Sequence, residues 1–354
     1  MRILGIETSC DETSAAVVEE TGDVDRPWAI RSNVVASQVA IHREWGGVVP
    51  ELASRQHIRD ICGVVEQSLL DARMTWSDLG AVAVTQGPGL VGSLLVGVAF
   101  AKAVAAAASL PLVAVHHLAG HIESLVLQNG ELPLPAVVLV VSGGHTSLYL
   151  IERHGHYELL SRTRDDAAGE AYDKVAKLLG LGYPGGPVID RLARTGNDRA
   201  VSLPTTRLTH ADRNAPALKG DLDFSFSGLK TAVLRYVQGR AVGRDGRSPL
   251  SEQEVADVCA SFQRVVVTVL IDRLFDAARR HQAKSVGIAG GVSANSRLRA
   301  ELEDRGRRRE IPTFQPSLQL STDNAAMIAA AGLRVFRAGI VAPDNLNANP
   351  ALRL

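Results

Sequence analysis

The chain has 354 residues, of which 46% are hydrophobic and 21% charged, with 38 basic residues against 38 acidic ones. That length favours two domains over one small core, and the composition is that of an ordinary soluble globular protein. Zero formal charge excludes a polycation that holds nucleic acid by bulk charge, while a local basic patch stays compatible with an RNA partner.

Cys10, Cys62 and Cys259 are far apart, and no Cys-x-x-Cys pair occurs. This is no disulfide scaffold and fits a reducing compartment. The N-terminus lacks the apolar block of a signal peptide. The apolar run around Val96 to Ala108 is interrupted by Lys102 and reads as too short to cross a bilayer. A cytoplasmic location is expected.

Ile3 to Ile6 reads as a strand, followed by the polar turn Glu7 to Thr13 and a returning strand, Ser14 to Val18. Glu7, Asp11 and Glu12 either orient a metal or phosphate there or are solvated turn residues. A helix is expected near Glu51 to Leu70, with His57 as a surface or packing residue. Strand Ala81 to Thr85 leads into the glycine-rich loop Gln86 to Ser93 and an apolar helix, Leu94 to Ala107. Glycines before a helix suit an anion, but they suit close packing of helix on sheet equally well.

The apolar run Leu112 to Val115 then opens a helix through Leu127. His117 and His121, four residues apart, share one face of it, near enough to grip one ion. Neutral imidazole suits zinc or iron. Two histidines rarely complete a site, so a third ligand must come from elsewhere; otherwise this is a polar, His-rich helix face.

Strand Ala136 to Val141, turn Ser142 to His145 and strand Thr146 to Ile151 repeat the opening pattern of residues 3 to 18. The repeat suggests a duplication with one phosphate-gripping hairpin per lobe. Asp165 to Leu181 reads as a helix with Glu170, Asp173 and Lys174 on its polar side. Gly185 and Gly186 form a turn, and Asp190 lies one turn into the next helix, able to accept sugar hydroxyls or to sit on the surface. Ala211 to Ser227 reads as loop, and Gly239 to Ser248 as a linker. Ser251 and Glu254 form a capping box for a helix to about Arg280. Strand Ser285 to Ala289, turn Gly290 to Asn295 and a helix repeat the glycine-turn theme; Asn295 reads a base or sugar edge or simply caps the helix. The cluster Arg305, Arg307, Arg308 and Arg309 reads as solvated surface. Ile311 to Phe314 is a short strand. Ser321 or Thr322 is expected to cap the last long helix, with Asp323 in its first turn. The tail beyond Ala342 is expected to be loosely attached. Strands interleaved with helices, twice over, make an α/β fold of two similar lobes around a cleft. Gly-x-Ser-x-Gly is absent.

These motifs together resemble a known family. They are GIETSCDET from Gly5, GGVVPELASRQH from Gly46, QGPGLVGSL from Gln86, HHLAGH from His116 and VSGGHT from Val141. GEAYDKVAKLLGL from Gly169, YPGGP from Tyr183, DFSFSGLKT from Asp223, GGVSAN from Gly290 and STDNAAM ending at Met327 complete the set. Nearly the whole chain is similar to the TsaD (Gcp) family of tRNA N6-adenosine threonylcarbamoyltransferases. The resemblance implies the actin-like ATPase (ASKHA, ribonuclease H-like) fold, two duplicated lobes around a nucleotide-binding cleft. On this reading residues 1–133, closed by a C-terminal helix at about 322–345, form the first lobe, and 134–321 the second. It implies transfer of threonylcarbamoyl from L-threonylcarbamoyladenylate to N6 of adenosine 37, in tRNAs that read codons beginning with A, releasing AMP.

The resemblance also implies site residues and partners. His117, His121 and Asp323 are the implied ligands of one divalent metal, Fe2+ or Zn2+. Val140, Val141, Ser142, Gly143, Gly144, Asp173, Gly186, Asp190 and Asn295, with Ser9, are implied to hold the nucleotide ligand, threonylcarbamoyladenylate, ATP or AMP. Asp11 and Glu12 are the first carboxylates to test as catalytic groups. The implied partners are tRNA through its anticodon loop, a paralogous actin-like subunit (TsaB type), a small P-loop ATPase (TsaE type) and a separate synthase (TsaC type). Three alternatives remain. A metallopeptidase of the thermolysin kind needs His-Glu-x-x-His, but Leu118 stands where the Glu belongs. A sugar kinase or chaperone-like ATPase prefers oxygen ligands on magnesium. The third is a metal- and nucleotide-binding scaffold without catalysis.

Overall fold

The computed structural model describes residues 1–205, 208, 220–242 and 250–354. Part of the loop expected over Ala211 to Ser227, and most of the linker expected over Gly239 to Ser248, lie outside the described residues.

Strands β1 (Arg2–Glu7) and β2 (Glu12–Glu20) form an antiparallel hairpin with Ile3 opposite Val18 and Glu7 opposite Ser14. Strand β3 (Trp28–Ser37) adds an edge that sequence reasoning missed. Its residues alternate poorly between buried and exposed, as an edge strand allows. Helices α1 (Val39–Arg43) and α2 (Pro50–Ala72) follow. Then come β4 (Ala81–Gly87), α3 (Val91–Ala108), β5 (Leu112–His116) and α4 (His117–Asn129). The sheet order is β3-β2-β1-β4-β5, with β4 parallel to β1 and β5 parallel to β4. Contrary to the sequence reading, α3 is long and apolar enough to cross a membrane by length and composition. It packs on α2 and β4, with Leu94, Val98 and Ala101 buried.

The second sheet repeats the first. It uses β6 (Ala136–Val141), β7 (Thr146–Arg153) and β8 (His156–Arg162). Helices α5 (Ala168–Leu178), α6 (Gly185–Ala193), α7 (Ser227–Val242) and α8 (Glu252–Arg280) intervene before β9 (Ser285–Ala289), α9 (Ser296–Arg309) and β10 (Thr313–Phe314). Its order is β10-β9-β6-β7-β8, with β6 antiparallel to β7 and parallel to β9. Read from the other edge, this is the topology of the first sheet, and the loose repeat seen in the sequence is its trace. Two compact units result. One is Met1–Pro133 with Glu152–Tyr157 and Phe314–Leu354; the other is Leu134–Ile151 with Glu158–Thr313. Residues 314–321, expected with the second lobe, group with the first.

The first unit is completed by α10 (Leu318–Ser321) and α11 (Ala325–Arg337). The start of α11 corrects the sequence reading. Its cap is Asn324, whose side chain accepts from Met327 N, so Asp323 precedes the helix. Two further first-turn amides find side-chain acceptors on the sheet: Ala325 N donates to Ser14 Oγ at 2.9 Å and Ala326 N to Asn33 Oδ1 at 3.3 Å. These bonds satisfy amides a helix start leaves orphaned and fix where Asp323 sits. Ala325, Ala326, Ala329 and Ala330 are fully buried. Small residues let α11 lie so close to β1 that a Cβ on Gly5 would overlap the Ala325 carbonyl oxygen.

The C-terminal tail is also a correction. It is held by backbone bonds that composition does not show. Ala342 N donates to Leu112 O at 2.7 Å and Asn349 N to Gln86 O at 2.8 Å. Leu346 is buried in the core, and its carbonyl accepts Lys102 Nζ.

Candidate metal centre

α4 begins directly at the end of β5, so His117 and His121 lie one helical turn apart at the C-terminal ends of the parallel strands. Both are buried. Their rings meet edge to face, with centroids 4.7 Å apart. Gly120 stands between them because α11 crosses there; its Cβ would lie 2.8 Å from Ile328 Cδ1 and 3.1 Å from Met327 Cγ. That crossing delivers Asp323. Its Oδ1 is 3.1 Å from His121 Nε2 and 3.6 Å from His117 Nε2. One donor atom from each of the three residues lies within 4.8 Å of the others.

Glu7, at the end of β1, is wholly buried behind His117. Its Oε2 accepts from His117 Nδ1 at 2.9 Å and from the Thr85 hydroxyl at 2.7 Å, and its Oε1 accepts from Ser9 N. Ser9 Oγ also lies 3.2 Å from His117 Nδ1. A carboxylate that accepts the Nδ1 proton leaves the Nε2 lone pair facing Asp323, the usual outer arrangement of a metal-ligating histidine. Burial alone would lower the pKa of His117, but Asp323 and Glu7 raise it to about 9. Burial would raise Glu7, but His117 outweighs it and holds the carboxyl below its usual range. Burial pushes His121 down, toward the neutral form. Neither ring nitrogen of His121 meets hydrogen-bond geometry. A buried imidazole left in this state is costly, and a cation beside Asp323 would satisfy its Nε2. The donor set, two imidazoles and a carboxylate, suits Zn2+ or Fe2+.

Asp11 and Glu12 occupy the β1–β2 turn beside this triad. Burial pushes the Glu12 carboxyl well up, and the neighbouring Asp323 and Asp11 carboxylates push it further. The turn is braced from outside. His57, expected as a surface or packing residue, is buried; its Nε2 bonds Cys10 O at 3.0 Å and its Nδ1 lies 2.8 Å from Thr13 Oγ1.

The glycine-rich loop after β4 is explained by packing. A Cβ on Gly87 would overlap the Asn349 carbonyl, and one on Gly89 would come within 2.6 Å of Ser9 O.

The TsaD family model, described as tRNA N6-adenosine threonylcarbamoyltransferase, matches residues 29–330. A protein of that name from Moorella thermoacetica is 51% identical over 353 residues, covering 99% of this chain and 97% of the relative. Another from Anaeromyxobacter sp. strain Fw109-5 is 51% identical over 355 residues and covers all of both chains. The chain belongs to this family. Among solved structures, full-length HypF in its phosphate- and nucleotide-bound form aligns with a TM-score of 0.58 at 12% identity, over 95% of this chain and 46% of HypF. That likeness concerns the fold, which is the actin-like ATPase fold.

The remaining residues implied for this transferase family lie in the second unit. Val140 and Val141 end β6, and Ser142 to Gly144 form the turn into β7. Ser142 N donates to His145 O at 2.8 Å, and among the described residues nothing beyond the adjacent chain lies within 4 Å of where a Cβ on Gly143 or Gly144 would sit. Asp173 Oδ1 accepts Gly185 N at 2.7 Å, and Gly186 is likewise open. Asp190 accepts from Ser296 Oγ at 2.8 Å and Gln263 Nε2 at 3.1 Å. Asn295 caps α9 by accepting Leu298 N, and donates to Gln263 Oε1 at 2.8 Å. Gln263 thus joins Asp190 to Asn295. Sequence reasoning missed it; its only signal was a polar residue inside the apolar run of α8. The arginine cluster on α9 is balanced locally, Arg305 against Asp272, and Arg307 and Arg308 against Asp304.

Proposed function

We propose that this chain transfers the threonylcarbamoyl group of L-threonylcarbamoyladenylate to N6 of adenosine 37 in tRNAs reading codons that begin with A, with release of AMP. The observation that carries the reading is the buried His117–His121–Asp323 triad, backed by Glu7, in a chain 51% identical to transferases of that name along its whole length.

His117, His121 and Asp323 would hold one divalent cation, Fe2+ or Zn2+. Such an ion supplies Lewis-acid stabilisation of negative charge developing on a phosphate or carbamoyl oxygen. With the ion bound, Glu7 would keep the proton on His117 Nδ1 and leave Nε2 as the ligand atom. The acceptor, an exocyclic purine amine, is a poor nucleophile because its lone pair is delocalised, so positioning matters as much as charge. It must lose a proton as the new C–N bond forms. Asp11 and Glu12 are the candidates to take it; burial, with the Asp323 and Asp11 carboxylates, pushes the Glu12 carboxyl well up and so favours it as the stronger base of the two when ionised. The open backbone at Gly143, Gly144 and Gly186, with Val140, Val141 and Ser142, would receive the adenylate. Asp173, Asp190 and Asn295 of the same unit would also contact it, and Ser9, beside His117, is a further proposed substrate residue. Adenosine 37 lies in a loop, so it can be presented without opening a duplex. The actin-like paralogue, the small P-loop ATPase and the separate synthase are its proposed companions.

The test is AMP release from threonylcarbamoyladenylate in the presence of the companion proteins. Unmodified tRNA should accelerate release, and tRNA carrying guanosine at position 37 should not. Equal release with both RNAs would contradict the transferase reading.

A further inference from the structure

The C-terminal tail reaches both supports of His117. On one side, Gln86 Nε2 donates to Asn347 O, Asn349 N to Gln86 O and Gly89 N to Pro350 O. These bonds tie the tail to the loop after β4. That loop in turn carries Ser9, because Leu90 N donates to Ser9 O at 2.8 Å, and Ser9 Oγ touches His117 Nδ1. On the other side, His116 Nε2 lies 3.2 Å from Leu352 O. His116 Nδ1 accepts Leu118 N at 3.1 Å and caps α4. One ring nitrogen must therefore accept and the other donate, which fixes the neutral Nε2–H tautomer. His116 is the residue before His117, and through it the tail is stapled to the first turn of the helix that carries both histidines of the triad.

We propose that residues Asn347–Leu352 form a strap that positions His117 by holding the start of α4 and the loop under Ser9, with His116 as its buckle. The inference rests on the metal reading of the triad. These bonds of the strap go to Gln86, Gly89 and His116 rather than to the three triad residues, so its effect on an ion is indirect. It limits the freedom of the His117 backbone, and a ligand set held in place loses less entropy on binding.

Two variants of the full-length protein test it, His116→Asn and deletion of residues 350–354. Asparagine retains the helix cap but is too short for the Leu352 carbonyl. The readouts are Zn2+ affinity by competition with a chromophoric chelator, melting temperature without metal, and hydrogen exchange at the amides of His121 and Ile122. Both variants should bind Zn2+ about tenfold more weakly, the low end of the range for lost outer-shell partners. Both should exchange faster at the two amides, and His116→Asn should melt near wild type. Zn2+ binding within twofold of wild type in both variants would overturn the strap while leaving the metal reading standing. So would a lowered melting temperature with unchanged affinity, which would make the tail merely structural. A wild-type protein that binds no Zn2+ or Fe2+ would remove the metal reading, and the strap with it.

Discussion

Replacing Glu7 by glutamine keeps the shape of the side chain and removes its charge. Three donors converge on the two Glu7 oxygens: Ser9 N–H, the Thr85 hydroxyl and His117 Nδ1–H. Glutamine offers one oxygen and one NH2. The Ser9 amide is fixed backbone and can only donate, so it retains the oxygen. The NH2 then faces Thr85, whose hydroxyl can rotate and accept, and His117, which can accept at Nδ1 only by moving its proton to Nε2. That is the wrong tautomer for a ligand, since Nε2 is the atom facing Asp323. The metal-free chain loses the buried ion pair that helps raise His117, and with it part of its stability. The ion must force that tautomer back and leave a buried donor facing a donor, which costs about 1–3 kcal/mol. Loss of metal affinity should therefore be about 10- to 100-fold, with a melting temperature in chelator below wild type. Zn2+ titration against a chromophoric chelator measures it. Affinity within twofold of wild type would refute the claim that Glu7 sets the His117 tautomer.

Other outcomes follow from the same geometry. With His117 raised to about 9 in the metal-free chain, metal uptake should release about one proton, and apparent affinity should rise roughly tenfold per pH unit from 7 toward 9; a pH-independent affinity measured by calorimetry would contradict this. The same shift, from an unfolded value of 6.5, should stabilise the metal-free fold by roughly 3 kcal/mol. That stability is fully present below pH 6.5 and is lost as pH rises through 9, as urea unfolding across that range would register. Arg334→Ala should cost about 3–5 kcal/mol in urea unfolding. It leaves buried Glu123, which also accepts Trp28 Nε1 and the Tyr157 hydroxyl, without its bidentate guanidinium. Gly120→Val should misplace α11 and Asp323 together, weakening Zn2+ binding at least as much as Glu7→Gln; wild-type affinity would show that the crossing does not deliver Asp323.

The sequence made one half of the metal centre legible and hid the other. A four-residue spacing on a helix is local geometry, so His117 and His121 could be paired without a structure. Asp323 lies about two hundred residues further on, and only family resemblance pointed to it. Its position depends on Asn324, Ser14 and Asn33 anchoring the start of α11, and none of these has a sequence signature tying it to a histidine. Glu7 stood beside Asp11 and Glu12 as one of three turn carboxylates. Its bond to His117 Nδ1 separates it from them, and a contact made across more than a hundred residues is a tertiary fact. The tail was misread for a related reason. Asn and Pro suggest a loose end, but backbone bonds to Gln86, Gly89 and Leu112 hold it regardless of side chain. Apolar runs revealed β1, β2, β6 and β7, whose burial is nearly continuous, and missed the edge strands β3 and β8, which bury only isolated positions and carry no such run.

The most direct test of the central claim is nucleoside mass spectrometry of unmodified tRNA after incubation with the chain, threonylcarbamoyladenylate and the companion proteins. Wild type should place a threonylcarbamoyl group on adenosine 37, and His117→Ala and Asp323→Ala should leave that adenosine unmodified while still folding. The account would be contradicted by full modification in both variants, or by none with the wild type on a tRNA that a known system modifies.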